Sequence, residues 1–225
     1  MTELQGKVAL VTGASRGLGR ALAEAMGAKG AEVVALARTV GGLEELDDAI
    51  RAAGGPTATL VPVDITDDAG LERLGAAIHS RWGRLDVLIH AAVHAPPLSP
   101  AEHTGAKDWD RTQAVNARAT QRLVRSMDPL LRAGGGTAVF FDDSHNAGPF
   151  HSAYQASKAA AKAVTSGWES ETRKAGIRVL HLAPPPMPSA LRARFRPGED
   201  KAALTPAREA AERLLPEILG QAPDA

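Results

Sequence analysis

The stretch KVALVTGASRGLG, residues 7–19, decides the fold of this chain. Residues 7–12 form a near-continuous apolar run, which is typical of a strand buried on both faces of a parallel sheet. Three glycines follow within the next seven residues, and an apolar stripe at helical spacing then begins at Leu18 and continues through Leu22. The stretch therefore predicts a strand, a tight turn and a helix, which is the opening of a βαβ unit.

The rest of the chain repeats this alternation of short apolar runs and helical segments. Further strands are predicted over residues 32–37, 58–63, 85–91, 137–141 and 177–183, with helices over 42–53, 66–82, 106–133, 152–175 and 206–219. Thr66, Asp67 and Asp68 are candidate N-cap residues, and Leu191 to Arg196 reads as a short basic stretch. We expect one α/β domain over residues 1–225, a doubly wound parallel sheet of about six strands.

Composition narrows the function classes. The chain has 225 residues, equal numbers of Lys+Arg and Asp+Glu (26 each), and no Cys, so disulfide scaffolds and zinc–thiolate sites are excluded. Zero net charge gives no reason to expect nucleic-acid or membrane partners. The first residues lack the features of a signal peptide, and we expect a cytoplasmic protein. No tight metal-ligand motif is present, so no metal is predicted.

The glycine loop has a chemical as well as a steric interpretation. Glycines between a first strand and its helix let the backbone approach a pyrophosphate, which the helix N-terminus attracts. A purely steric turn would also need glycine, but the position in the first βαβ unit favours a dinucleotide.

Two motifs together resemble those of a known family. The pattern T-G-x-x-x-G-x-G over residues 12–19, with Tyr154 and Lys158 downstream, is similar to that of the short-chain dehydrogenase/reductase family, and the resemblance extends to about Leu219. The resemblance implies a Rossmann-type sheet and hydride transfer between a nicotinamide and an alcohol or ketone carbon. We expect the sheet of this chain to lack the seventh strand that is usual in the family. The cofactor-binding residues predicted in this way are Gly13, Ser15, Arg16, Gly17, Leu18, Gly19, Arg38, Asp64, Ile65, Ala91, Ala92, Tyr154, Lys158, Pro184 and Ser189.

The end of the second strand bears on the choice of cofactor. NAD-specific sites keep an acidic residue there to bind the ribose hydroxyls. This chain has Leu36-Ala37-Arg38 instead, and Arg16 lies in the glycine loop. Both arginines could pair with a 2′-phosphate through their guanidinium groups, or could simply be surface residues. The sequence predicts NADP(H) in preference to NAD(H).

Tyr154 and Lys158 lie one helical turn apart and so share a face. A tyrosine that exchanges protons near neutral pH needs its pKa lowered from about 10, and the Lys158 ammonium and an oxidised nicotinamide would both favour phenolate. By resemblance, Lys158 also binds the nicotinamide ribose, and Asn116 holds a water in the proton relay.

Three positions depart from the family pattern. His90-Ala91-Ala92-Val93 replaces Asn-Asn-Ala-Gly after the fourth strand, and Pro185 replaces a glycine after the sixth. Alignment from the fifth strand places Asp143 where the family has its substrate-orienting serine, although Ser144, one residue later, is the alternative. A carboxylate cannot donate a hydrogen bond to a carbonyl. Pteridine reductases of this family carry an aspartate here, which makes a nitrogen-rich ring substrate a second hypothesis.

Assembly and function each leave an alternative open. The resemblance implies a homodimer more strongly than a tetramer, and a short substrate lid over about 186–204. The leading function is NADPH-dependent reduction of a small carbonyl or imine compound. The alternative is a catalytically silent NADP(H)-binding sensor or assembly subunit.

Overall fold

The computed structural model describes residues 3–143 and 146–221. Its six parallel strands form one sheet in the order β3-β2-β1-β4-β5-β6. They are β1 (Val8–Thr12), β2 (Glu32–Ala37), β3 (Thr59–Pro62), β4 (Val87–His90), β5 (Thr137–Phe141) and β6 (Arg178–Leu182). Chain order reverses between β3 and β4, which lie on either side of the β1–β2 pair. The predicted doubly wound sheet of six strands is confirmed.

Eight α-helices connect or flank these strands. They are α1 (Gly17–Ala28), α2 (Val40–Ala52), α3 (Asp68–Trp82), α4 (Ala106–Gln113), α5 (Ala119–Gly134), α6 (Ser152–Thr172), α7 (Ala190–Phe195) and α8 (Ala207–Leu219) in the described part of the chain. The helix predicted over 66–82 begins where Asp67 caps it: its carboxylate accepts a 3.0 Å hydrogen bond from the Gly70 backbone N–H.

The two faces of the sheet carry separate apolar layers, because successive strand residues point to opposite sides. In β1, Ala9 and Val11 pack with α1, α2 and α8, whereas Val8 and Leu10 pack with α3, α5 and α6. Both faces are therefore covered, as the continuous apolar run of β1 predicted.

Two segments differ from the sequence prediction. The helix expected over 106–133 is interrupted by a π-helical turn at Ala114–Arg118, which separates α4 from α5 and contains Asn116. Such turns insert one residue into a helix and are frequent at functional sites. The stretch expected to be merely basic forms α7, because the Ser189 hydroxyl oxygen caps it by accepting a hydrogen bond from the backbone N–H of Arg192 at 3.1 Å.

Candidate active site

The glycine loop joins β1 to α1 at the carboxyl edge of the sheet. Gly13 has φ +69°, and a Cβ there would lie 2.8 Å from the backbone of Ala91, which follows β4. A Cβ at Gly19 would lie 2.6 Å from the Gly13 carbonyl oxygen. The loop thus needs glycine both for its backbone conformation and for the close approach of neighbouring backbone.

A cavity of about 750 Å³ opens at this edge, and it brings the predicted site residues together. All fifteen predicted cofactor-binding residues line it, as do Asn116 and Asp143. Ser144, the alternative to Asp143, lies outside the described residues. The glycine loop, beside two arginines that make no ion pair among the described residues, fits a nicotinamide dinucleotide.

Arg16 and Arg38 both line the cavity and are exposed. By the family pattern, this end of the cleft would hold the adenosine of the cofactor. Within residues 3–143 and 146–221, neither guanidinium makes an ion pair or side-chain hydrogen bond. The residues at the end of β2, Leu36-Ala37-Arg38, include no carboxylate that could pair with either arginine. Both charges are thus available to an anionic ligand.

Asp64, predicted to bind the cofactor, already accepts several hydrogen bonds from protein groups. One carboxylate oxygen accepts hydrogen bonds from the Thr66 backbone N–H at 2.9 Å and hydroxyl at 2.8 Å, and the other accepts from Arg111 at 2.9 Å. Partial burial opposes ionisation, but these bonds outweigh it and hold the pKa of Asp64 at about 2. Asp64 is therefore anionic at neutral pH, and Arg111 joins the cleft wall beside it.

His90 occupies the place of the family asparagine and forms a buried hydrogen-bonded chain. Its Nε2 lies 2.9 Å from the Thr120 hydroxyl, which donates to the Asn116 carbonyl oxygen, so Nε2 must carry the proton. Nδ1 then accepts from the Thr12 hydroxyl at 2.8 Å, while the Thr12 oxygen accepts from the Ala92 N–H at 3.2 Å. Burial, with a smaller effect from Lys158, lowers the pKa of His90 to about 3, so the ring is neutral.

These hydrogen bonds show how the structure accommodates His90 where the family pattern has an asparagine. The imidazole of β4 bonds to Thr12 of β1 and to Thr120 of α5 at ordinary lengths, and Thr120 in turn bonds to Asn116 of the π-helical turn. A neutral ring with one donor and one acceptor thus stands where the family pattern has an asparagine.

Asn116 is fixed by three side-chain hydrogen bonds. Its Oδ1 accepts from the His94 N–H at 2.7 Å, and its Nδ2 donates to the His94 carbonyl at 2.9 Å and to the Ser157 hydroxyl at 2.9 Å. The π-helical turn aims the side chain at both partners. Asn116 thereby ties the segment after β4 to α6, the helix that carries Tyr154.

The Tyr154 hydroxyl donates a 2.6 Å hydrogen bond to Oδ2 of Asp143. The Asn146 amide Nδ2 in turn donates to both Asp143 oxygens, at 3.1 and 2.9 Å. Asn146 is buried, and its Oδ1 has no hydrogen-bond partner among the described residues. Sequence reasoning missed Asn146, because no spacing signal links it to Tyr154.

These surroundings correct the expected direction of the Tyr154 pKa. Burial first, then the Asp143 charge and its hydrogen bond, raise the pKa of Tyr154 well above its usual range. Lys158, expected to favour phenolate, donates from Nζ to the Phe141 carbonyl at 2.6 Å, and burial lowers its own pKa. Tyr154 is therefore a neutral phenol here.

Helix α7 covers the tyrosine. The Phe195 ring is buried and lies edge-on to the rings of Tyr154 and His151, at centroid distances of 5.0 and 4.9 Å. Tyr154 is only 2% exposed as a result. Arg192 holds the helix by a two-pronged ion pair with Glu199 at 2.5 Å.

Comparison with known proteins identifies the class. Residues 7–200 match the short chain dehydrogenase family. D-threitol dehydrogenase from Mycolicibacterium smegmatis is 34% identical over 184 residues, which cover 80% of this chain and 70% of that protein.

Solved structures agree with this match. A short chain dehydrogenase from Pseudomonas syringae superposes with a TM-score of 0.88 and 31% identity, covering 92% of this chain and 87% of that one. One from Shigella flexneri, complexed with NADP, gives 0.87 and 27%, covering 92% and 88%. The fold, the cleft and these matches define an α/β oxidoreductase of the kind that uses a nicotinamide cofactor. The chain belongs to the short chain dehydrogenase family.

Two further findings concern metal binding and membrane-spanning helices. Within the described residues, no three His, Asp or Glu side chains form a group that could hold a metal ion. None of the helices in that part of the chain is both long and apolar enough to span a bilayer.

Proposed function

We propose that this protein is an NADP(H)-dependent oxidoreductase that acts on a small carbonyl or alcohol, or on an imine or pterin-like compound. The observation that carries the proposal is the single cleft that holds the glycine loop, Tyr154 and Lys158 together with two unpaired arginines. The relatives support the reaction class, since one is a polyol dehydrogenase by name and one structure contains NADP.

The cofactor would lie along the carboxyl edge of the sheet. The glycine loop would bind its pyrophosphate, Arg16 and Arg38 its 2′-phosphate, and Lys158 the nicotinamide ribose. When bound, the nicotinamide supplies or accepts the hydride. NADP(H) is preferred because the end of β2 offers positive rather than negative charge to the ribose.

Tyr154 would exchange a proton with the substrate oxygen or nitrogen through its hydroxyl. Asp143 lies on that hydroxyl, so it would contact the same substrate atom or hold the tyrosine proton. An ionised Asp143 can only accept hydrogen bonds, so it suits a substrate with an N–H or O–H donor beside the reacting carbon. This geometry favours alcohols and nitrogen-rich rings over simple ketones.

A second candidate is a catalytically silent NADP(H)-binding protein. One observation favours it: Tyr154 is nearly inaccessible beneath Phe195, and its hydroxyl is already donated to Asp143. A Tyr154→Phe variant separates the two candidates, because only an enzyme needs the hydroxyl.

The experiment is a turnover assay with NADPH and panels of ketones, quinones, pterins and, in the oxidative direction, polyols. The proposal expects turnover on at least one panel, lost in Tyr154→Phe with NADPH binding intact. Ser170→Ala, an exposed change on the same helix, is the matched control. NADPH binding without turnover on any panel would favour the silent protein.

Assembly and location belong to the same proposal. We expect a single cytoplasmic domain over 1–225 that forms a homodimer through α5 and α6, with no nucleic-acid or membrane partner and with residues 186–204 as a substrate lid. The ordered cover that α7 makes over Tyr154 supports the lid.

A further inference from the structure

We propose that Arg194, on α7, binds a phosphate group of the dinucleotide, so that the segment covering the substrate site is also a ligand of the cofactor. This inference rests on the proposed use of NADP(H). It adds to the cleft a residue that the sequence motifs do not indicate.

Charge in the cleft is unbalanced, although the whole chain is neutral. Seven cationic and three anionic side chains are among the described residues that line the cavity. They are Arg16, Arg38, Arg111, Lys158, Lys162, Arg192 and Arg194 against Asp64, Asp142 and Asp143. A cleft with an excess of one sign of charge concentrates ligands of the opposite sign.

The three carboxylates are already engaged by protein groups. Asp64 is paired with Arg111, Asp142 with Lys162, and Asp143 accepts from Tyr154. Arg192 is likewise neutralised by Glu199, which lies outside the cavity wall.

The remaining arginines of the cleft are then Arg16, Arg38 and Arg194. In the described part of the chain, none of the three makes a side-chain hydrogen bond or ion pair. A reduced dinucleotide with a 2′-phosphate carries roughly four negative charges, counting about two for the phosphate monoester. The three arginines supply three of the positive charges that such a ligand needs.

Arg194 lines the cavity from α7. The same helix is held in place by the contact of the Phe195 ring with Tyr154 and by the ion pair of Arg192 with Glu199. His94 lies across the cleft, in the segment after β4. After burial, the charges of Arg111, Arg194 and Arg38 are what lower the pKa of His94. Arg194 and Arg38 therefore both lie close enough to His94 to act on it electrostatically.

Guanidinium groups bind phosphate through paired hydrogen bonds, which makes an unpaired arginine in such a cleft a phosphate ligand. Two phosphate sources lie within the proposed cofactor, the pyrophosphate and the 2′-phosphate. Binding at either would couple the position of α7 to the presence of the nucleotide, because Phe195 and Arg194 move with the same helix.

The test is a titration of NADPH and NADH against the full-length protein and its Arg194→Gln variant, at two salt concentrations. Lys201→Gln, exposed in the same segment but outside the cavity wall, is the control, and Arg194→Lys tests rescue by charge. We expect Arg194→Gln to raise Kd by roughly tenfold or more and to reduce its salt dependence.

The pattern across ligands identifies the phosphate. Equal weakening of NADPH and NADH would place Arg194 on the pyrophosphate, and weakening of NADPH alone would place it on the 2′-phosphate. Kd values within twofold of wild type for both nucleotides would overturn the inference, even if KM for a substrate rose. Failure of the wild-type protein to bind either nucleotide would instead overturn the proposed function, so the two failures are distinguishable.

Discussion

The Tyr154 hydroxyl and Oδ2 of Asp143 lie 2.6 Å apart, and Asn146 holds the carboxylate from its other side. The carboxylate of Asp143 therefore accepts the hydrogen bond of the tyrosine hydroxyl, at one of the two positions that the sequence offered for the family's serine. It makes the tyrosine harder to ionise, and it gives the cleft a different preference for substrate atoms.

The contact can be tested by titrating the tyrosine directly, since Tyr154 is the only tyrosine in the chain. Asp143→Asn removes a negative charge and an acceptor, so the pKa of Tyr154 should fall relative to wild type. Phenolate absorbance in the near ultraviolet, followed as pH is raised, measures this shift. Asp142→Asn, which removes the neighbouring carboxylate that pairs with Lys162, is the control. An unchanged titration in Asp143→Asn would mean that Asp143 does not control the tyrosine.

The buried His90 ring predicts a loss of stability in mild acid. Its pKa is about 3 in the folded protein and 6.5 when unperturbed, so the unfolded chain gains a proton first as pH falls. Stability contributed by the neutral ring is therefore present above about pH 6.5 and declines towards pH 3. Between pH 6.5 and about pH 5 the loss should be roughly 2 kcal/mol.

Urea unfolding at these two pH values measures that loss. His90→Asn, the family residue, should remove most of the difference, and His103→Asn, an exposed change, should leave it intact. Equal acid sensitivity in His90→Asn and wild type would show that other groups cause the decline.

The glycine loop predicts a contrast between two substitutions. Gly13→Ala places a Cβ against the Ala91 backbone at a positive φ, so it should cost about 1–3 kcal/mol and weaken binding of both nucleotides. Gly41→Ala, in α2 with open space around it, should be neutral or slightly stabilising. Thermal unfolding and nucleotide titration measure the two effects. Equal behaviour of the two variants would contradict the close approach described for Gly13.

Cofactor preference should change when the charge at the end of β2 is reversed. Arg38→Asp offers a carboxylate to the ribose hydroxyls and repels a 2′-phosphate, so NADPH should bind at least about tenfold more weakly while NADH holds or improves. Arg208→Asp, an exposed change on α8, is the matched control. Parallel loss of both nucleotides would point to damage of the site rather than a change of specificity.

Local pattern was sufficient to predict the sheet but not the chemistry at its edge. The limits of β5 were predicted at Thr137 and Phe141 as observed, because the apolar run lies between a triplet of glycines and the acidic pair Asp142-Asp143. The hydrogen bonds of His90 to Thr12 and Thr120 were not predictable, since they join residues 78 and 30 positions apart. The cover of Phe195 over Tyr154 depends in the same way on tertiary packing.

The π-helical turn at Asn116 is another feature that the sequence did not predict. The residues around it have ordinary helix-forming character, so an unbroken helix was the natural prediction, whereas in the structure the turn carries Asn116, which bonds to His94 and Ser157. The raised pKa of Tyr154 has the same origin, because it depends on where Asp143 lies relative to the hydroxyl.

The most direct measurement of the central claim is a binding titration of the purified protein with NADPH and NADH under matched salt. The account predicts that both bind in the cleft and that NADPH binds at least about tenfold more tightly, because Arg16 and Arg38, which pair with no carboxylate among the described residues, would bind the 2′-phosphate. Equal affinity, tighter binding of NADH, or no binding of either nucleotide would contradict it.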